Sequence, residues 1–313
     1  LFFVISGFLI VTLLLRERDR RGDISLKNFY VRRFLRIFPL YYGVLAALTF
    51  AFLVVAKHAN MAPAFFHDLP FALTYTSNWA DVITGAGLLT FLEITWSLSA
   101  EEQFYVVWPP AERFLRRATL PLLGALLTTS VLIQFGVFDS VFVALGVVEH
   151  SPRMLKETGF TPMLLGVVLA HALHAPSPFA RVSALLSPTA AAPTIVAAIV
   201  VVSLPIDDIS GGPRLLVHLL MTALVGACVV REDHGLRRLL RWRPLVEVGV
   251  LSYGLYLLHM PVRIGLAAVL EKLGALSSLP LFVGTTVVTV VVAWLSFTLY
   301  EQRFLRLKER FSA

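Results

Sequence analysis

Residues 29–56 read FYVRRFLRIFPLYYGVLAALTFAFLVVA, and this stretch decides the fold. Arg32, Arg33 and Arg36 run without a break into an apolar segment, about 37–56, that is long enough to cross roughly 30 Å of hydrocarbon as a helix. Guanidinium groups crowded at one end of such a run mark a membrane boundary. Just upstream, Asp23-Ile24-Ser25 followed by Leu26-Lys27-Asn28-Phe29 has the form of a helix start with Ser25 as N-cap. The predicted helix therefore carries its arginines directly into a span.

The same reading extends outward along the chain. Apolar runs at about 1–15, 37–56, 88–110, 119–138, 159–175, 190–206, 214–230, 249–269 and 280–299 give nine expected spans. Hydrophobic residues make up 57% of the 313, charged residues 15%, and mean hydropathy is +0.78, so water is not the main solvent. The expected fold class is all-α, a polytopic transmembrane helical bundle. No linker, repeat or low-complexity tract divides it, and 1–313 is read as a single membrane domain.

Orientation follows from the cations. With nine spans, one set of loops collects Arg16, Arg18, Arg20, Arg21 and Lys27 through Arg36, then Arg113, Arg116, Arg117 and Arg181, then Arg231 through Arg243 and Arg303 through Arg310. The other set holds only Lys57, Arg153, Lys156, Arg214 and Lys272. That asymmetry puts the C-terminus in the cytoplasm and Leu1 on the outer side. The longest outer segments, about 57–87 and 139–158, are read as caps over a cavity, with His58, His67 and His150 as solvated loop histidines and Asp68 and Asp81 as poor evidence for the catalytic acids of a membrane glycosyltransferase.

Several classes are disfavoured at this point. A pI near 9.8 invites a nucleic-acid reading, but the arginines sit in short loops at membrane boundaries, so lipid headgroups and no nucleic acid are the expected partners. The one cysteine, Cys228, lies in an apolar run and reads as packing. His171 and His174 have the spacing of a metal pair but no third ligand, so no metal is assigned. Asp207-Asp208 reads as a solvated turn before Gly211-Gly212-Pro213. There is no Walker loop, GxSxG elbow or HExxH.

Three constellations remain. Arg32 or Arg33 shares a helical face with Arg36, where guanidinium forks suit phosphates; snorkelling to lipid phosphates is the alternative. In Thr95-Trp-Ser-Leu-Ser-Ala-Glu-Glu-Gln-Phe-Tyr105, helical geometry puts Ser97, Glu101, Tyr105 and Trp108 on one face, so a hydroxyl, an acid and a phenol stand in register. The alternative is a solvated interfacial segment with belt aromatics. In Leu251-Ser-Tyr-Gly-Leu-Tyr-Leu-Leu-His-Met-Pro261, Ser252, Tyr256 and His259 share a face, with His259 either a base or a hydrogen-bonding strut.

Together with Leu1-Phe-Phe-Val-Ile-Ser-Gly-Phe-Leu-Ile10 and Tyr300-Glu-Gln-Arg-Phe304, these segments resemble, in order, those of the acyltransferase 3 family of integral membrane O-acyltransferases that modify bacterial cell-surface sugars. The resemblance implies transfer of an acyl group, usually acetyl from acetyl-CoA, to a hydroxyl of a carbohydrate or lipid-linked glycan such as lipopolysaccharide, in the bacterial cytoplasmic membrane. Acyl-CoA is then a donor substrate, with no permanently bound cofactor. By the same resemblance Arg33 and Arg36, with Arg32, contact CoA phosphates; Trp96, Ser97 and Glu101 form the catalytic segment; and Tyr253 and His259 serve substrate or structure. The family has ten spans, the first carrying the catalytic histidine. This chain opens at Leu1 inside what matches the second, so the expectation is a nine-span stretch truncated at the N-terminus, with activity belonging to the intact protein. The rival from another class is a transporter or flippase of a lipid-linked sugar, whose pathway would also be lined by buried acids and a basic mouth.

Overall fold

The computed structural model describes residues 1–55, 60–80, 84, 88, 90–144, 160–204 and 209–311. Lys57, His58, Asp81, His150, Arg153, Lys156, Asp207 and Asp208 lie outside the described residues. Among those described, the chain is helical and carries no strand. In chain order the helices are α1 (Phe2–Arg21), α2 (Leu26–Phe50), α3 (Ala62–Leu73), α4 (Thr95–Phe114), α5 (Thr119–Gln134), α6 (Asp139–Ala144), α7 (Phe160–His174), α8 (Pro176–Leu186), α9 (Ala191–Ser203), α10 (Gly211–Val230), α11 (Arg237–Leu240), α12 (Arg243–Lys272), α13 (Ser278–Ser296) and α14 (Gln302–Glu309). Single π turns at Ala51–Val55 and Phe297–Glu301 prolong α2 and α13, and a short 3₁₀ turn, Phe91–Ile94, precedes α4.

Each of the nine apolar runs coincides with a helix. Five helical segments, Leu26–Val54, Arg116–Gln134, Gly211–Val230, Arg243–Lys272 and Ser278–Glu309, are long and apolar enough to cross a membrane. A sixth crossing arises if α7 and α8, bent by 107° at their junction, act as one broken span. The expected spans at 1–15 and 88–110 are set apart by charge. α1 runs past its apolar half through Arg16, Glu17, Arg18 and Asp19, and α4 holds Glu101, Glu102 and Glu112. Large apolar side chains stand outward at high exposure, among them Leu185 at 76%, Leu204 at 78% and Phe282 at 71%, as a hydrocarbon solvent requires.

The chain divides into two compact units. The first comprises Leu1–Ile24, Asn78–Gly87 and Ser97–Arg241. Its centre is the pairing of α1 with α7. Val4, Phe8, Val11 and Leu15 recur at helical spacing on the buried face of α1, and Met163 and Val167 on α7 are fully buried. Glycine lets the two backbones touch. A Cβ on Gly7 would stand 2.2 Å from the Met163 carbonyl oxygen, and one on Gly166 would stand 2.3 Å from that of Val4. Gly22, at φ 76, ends α1 in the left-handed conformation and donates to the Arg18 carbonyl at 2.7 Å.

The second unit comprises Ser25–Ser77, Leu88–Trp96 and Trp242–Ala313. Ser25 is the N-cap of α2, its hydroxyl accepting from the Asn28 amide at 3.4 Å, as its sequence context predicts. α12 and α13 pair, and α14 packs against α2. α3 was expected within an outer loop; instead it lies along α2. Phe65 stacks on Phe52 with ring centroids 4.5 Å apart, while the Tyr41 and Tyr42 hydroxyls donate to the carbonyls of Ala72 and Leu73 at 2.8 and 3.0 Å. Those phenols satisfy carbonyls that the end of α3 leaves without helical partners. Tyr75, held at φ 53, stacks on Tyr41 at 4.5 Å and turns the chain away.

Candidate functional site

Within the second unit the arginine face of α2 meets the C-terminal helix. Arg32 Nη1 donates to the Phe311 carbonyl at 2.8 Å, and the Arg33 guanidinium lies 5.9 Å from the centre of the Phe29 ring. Arg36, Arg33 and Arg32 all act electrostatically on the Lys308 ammonium, with Glu309 partly offsetting them. A fourth cation thus joins the three that spacing picked out. Sequence reasoning assigned Lys308 to topology alone, because nothing local links it to residues far earlier in the chain.

One turn beyond Arg36 stands Pro39, which removes a backbone N–H from the interior of α2. Two phenols brace this turn. Tyr253 donates to the Ile37 carbonyl at 2.9 Å and Tyr300 to that of Pro39 at 3.1 Å. Tyr253 therefore has a definite structural role, because it holds the backbone from which Arg36 projects. Tyr256 donates to the Ile94 carbonyl at 2.6 Å, and His259 Nδ1 lies 2.5 Å from the Tyr256 carbonyl oxygen. A carbonyl accepts only, so His259 Nδ1 carries the proton of that bond. Trp96 belongs to this unit, at the end of the segment that Tyr256 bonds.

The first unit begins its share of the motif at Ser97. The α4 face predicted from spacing is buried: Ser97, Ser99, Glu101, Tyr105 and Trp108 are all sequestered, with Glu101 only 3% exposed. A solvated interfacial acid does not describe Glu101. The Tyr105 phenol bonds the Ser6 hydroxyl of α1, while Gln103, on another side of α4, accepts from Asn78 at 3.2 Å and Trp79 Nε1 at 3.0 Å and donates back to Asn78 at 2.8 Å. Trp108 Nε1, two turns from Glu101, is buried with no hydrogen-bond partner among the described residues.

The same face continues one turn further to Glu112, 1% exposed, which sequence reasoning passed over. Arg18 donates to its Oε1 at 3.2 Å, and His171 Nε2 lies 3.2 Å from its Oε2. His174 pairs with Asp19 at 3.2 Å and Arg113 with Asp23 at 2.7 Å. The two histidines spaced three apart each meet a carboxylate, His171 that of Glu112 and His174 that of Asp19. The overlooked signal was the spacing itself, since Glu112 follows Trp108 by four residues on a face already marked as polar.

With this geometry in view, similarity to known proteins becomes informative. A model of the acyltransferase domain matches residues 1–298, nearly the whole chain. The chain belongs to the acyltransferase 3 family. Its family and its apolar helices make it a multi-pass membrane protein. Among similar proteins, the peptidoglycan O-acetyltransferase OatA of Listeria monocytogenes is 26% identical over 299 residues, covering 87% of this chain and 45% of that protein. YrhL of Bacillus subtilis, provisionally named a peptidoglycan O-acetyltransferase, is 29% identical over 325 residues, covering 96% and 49%. A provisionally named O-acetyltransferase of Staphylococcus aureus is 31% identical over 278 residues, covering 83% and 45%. The chain spans about half the length of each of these relatives. No solved structure matches it significantly.

Proposed function

We propose that this acyltransferase 3 protein is a membrane O-acyltransferase, moving an acyl group, acetyl by analogy with its relatives' names, from acyl-CoA to a carbohydrate hydroxyl of the bacterial envelope. The acceptor is a glycan of the peptidoglycan class, since two of the similar proteins are named for that polymer. The protein works from the cytoplasmic membrane as a single domain over 1–313, its C-terminus inside, as the distribution of Lys and Arg favours. Membrane lipids surround it and nucleic acid plays no part.

The observation that carries this reading is the cation cluster of Arg32, Arg33, Arg36 and Lys308 on α2 and α14. Like charges gathered at one place repel one another, and a polyphosphate relieves that repulsion through charge-assisted bonds. CoA supplies such a group. In the reaction the acceptor hydroxyl oxygen attacks the thioester carbonyl, the new C–O ester bond forms, the C–S bond breaks, and the hydroxyl proton passes to a base while CoA leaves as thiol. Glu101, buried on α4, is suited to orient the acceptor hydroxyls or the base. Ser97 and Trp96 flank it in the motif as polar and stacking surfaces for the sugar. His259 and Tyr253 support the α2 side.

The test is transfer of labelled acetyl from acetyl-CoA into alkali-labile esters of envelope glycan, in membranes carrying the protein expressed from its native gene. Acceptor-dependent label is expected, and its absence with every acyl-CoA tried refutes the reading. A charge-assisted hydrogen bond contributes about 1.5–3 kcal/mol, so Arg36→Ala is expected to weaken acetyl-CoA binding by roughly 10- to 100-fold. Unchanged binding in a titration of the purified protein removes the phosphate role.

A further inference from the structure

α14 is fastened along the start of α2 at both of its ends. Tyr300, just ahead of α14, donates to the Pro39 carbonyl at 3.1 Å, and Arg32 Nη1 donates to the carbonyl of Phe311, just past it, at 2.8 Å. Rising residue numbers on one segment meet falling numbers on the other, so the two run antiparallel. Lys308 lies between the ties, at the α2 levels of Arg33 and Arg36. The Phe311 amide returns to the Lys308 carbonyl at 3.0 Å, which puts Lys308 in the same turn that Arg32 holds. Of the cations acting on the Lys308 ammonium, Arg36 acts most strongly, followed by Arg33 and Arg32.

The other cations of this segment are disposed differently. Arg303, Arg306 and Arg310 are exposed, as residues meeting lipid headgroups or cytoplasm would be, whereas Lys308 is half-buried. A lysine serving topology alone would gain by turning outward with them, since like charges drawn together repel. Its place beside three guanidiniums calls for an anion of matching charge. α14 also lies beyond residues 1–298, the stretch that the acyltransferase domain model matches, so this fourth cation stands outside the shared pattern.

We propose that Lys308 is a donor-specificity residue: it receives the 3′-phosphate of CoA, while Arg33 and Arg36 receive the diphosphate. This rests on the acyl-transfer reading above. The division follows from the chemistry of the two kinds of side chain. A guanidinium is a flat fork that pairs with phosphate oxygens two at a time, and Arg33 and Arg36, neighbours on one helical face, present such forks to adjoining phosphates. An ammonium is a compact charge on a flexible stem, suited to a separate phosphomonoester that brings about −1.5 to −2 charge at pH 7. Arg32 has another task, since its Nη1 is given to the Phe311 carbonyl and so keeps Lys308 in place. A donor lacking the 3′-phosphate leaves Lys308 beside three like charges with Glu309 to offset them only in part.

The test compares acetyl-CoA with acetyl-dephospho-CoA, on the protein expressed from its native gene and held in nanodiscs of phosphatidylcholine. The parent protein is expected to bind acetyl-CoA about 10- to 100-fold more tightly, as one charge-assisted bond would give. Lys308→Met is expected to lose most of that preference by weakening acetyl-CoA alone, Lys308→Arg to keep most of it, and Arg36→Ala to weaken both donors. A parent protein that binds the two equally, or Lys308→Met with the preference intact, overturns the proposal and leaves acyl transfer standing. Nanodiscs containing phosphatidylglycerol separate the two sources of phosphate. If Lys308→Met retains less of that lipid while its donor preference is unchanged, the ammonium serves a headgroup and the proposal is overturned. Should Lys308→Met fail to fold, amine labelling of the parent protein decides: CoA is expected to shield Lys308 and dephospho-CoA to leave it reactive, and equal labelling under both overturns the assignment. A parent protein that binds no acetyl-CoA fails the broader reading instead.

Discussion

Truncating Arg18 to alanine tests how the first unit keeps an acid inside. Glu112, 1% exposed, has Arg18 Nη1 at 3.2 Å on one oxygen and His171 Nε2 at 3.2 Å on the other. At an effective dielectric constant near 20, unit charges at that separation attract by about 5 kcal/mol. Desolvation of both groups offsets much of this, so the pair as a whole adds little net stability. Breaking it is another matter, because Arg18→Ala leaves the carboxylate with His171 alone, and loss of one partner of a buried pair costs about 3–5 kcal/mol. The Arg18 side chain is 28% exposed, so water will enter and the low end, about 3 kcal/mol, is expected. That is about a hundredfold in the folded-to-unfolded ratio. Glu112→Gln, which keeps an acceptor but removes the charge, is expected to lose about 1 kcal/mol. The double variant Arg18→Met/Glu112→Leu is expected to regain most of the loss, since neither charge then remains. The assay is reversible unfolding in mixed micelles followed by tryptophan fluorescence. A loss under about 1 kcal/mol for Arg18→Ala, or a double variant no more stable than Arg18→Ala, refutes the reasoning.

Other parts of the fold give sharper local tests. Gly166→Ala sets a methyl 2.3 Å from one backbone atom of α1 and 2.8 Å from another, so α1 and α7 must separate, with an expected loss of about 1–3 kcal/mol or more in the same unfolding assay. Stability equal to that of the parent protein would mean that the helices do not meet there. Gln103→Leu strands the donors of Asn78 and Trp79, at an expected cost of about 1–3 kcal/mol, which a parallel Asn78→Ala, Trp79→Phe background is expected to reduce. Tyr253→Phe is expected to weaken acetyl-CoA binding several-fold with little change in stability, because it loosens the turn that aims Arg36; an affinity equal to that of the parent protein separates the brace from the binding site.

Much of this was legible in the sequence, and the reasons differ by element. The long helices follow from apolar runs, and Ser25 from a local cap pattern, since both depend on neighbours within a few residues. The buried face of Ser97, Glu101, Tyr105 and Trp108 follows from helical periodicity together with the expense of carboxylates at membrane depth. Partnerships did not follow. Glu112 meets Arg18 from 94 residues away and His171 from 59, distances at which one sequence carries no pairing signal. α3 was hidden for a different reason. With only 12 residues, two of them prolines (Pro63 and Pro70), and His67-Asp68 in its middle, it has the composition of a solvated loop. Its helicity comes from the aromatic stack with α2 and the phenols that receive its end, and both are tertiary.

The segments that mark the family divide by physical role. Gly7, in the first of them, lets α1 press its backbone against α7, and Tyr253 and Tyr300, in the last two, brace the carbonyls on either side of Pro39. The role of these three groups is structural: the glycine allows a close backbone approach, and each phenol gives its proton to the backbone. What they support is different in kind. Arg36 and Lys308 keep like charges close together, and Glu101 keeps a carboxylate from water. Bringing like charges together and taking a carboxylate out of water each cost free energy. In the proposed acyl transfer, the donor's phosphates and the acceptor's hydroxyls are the groups that such sites would meet.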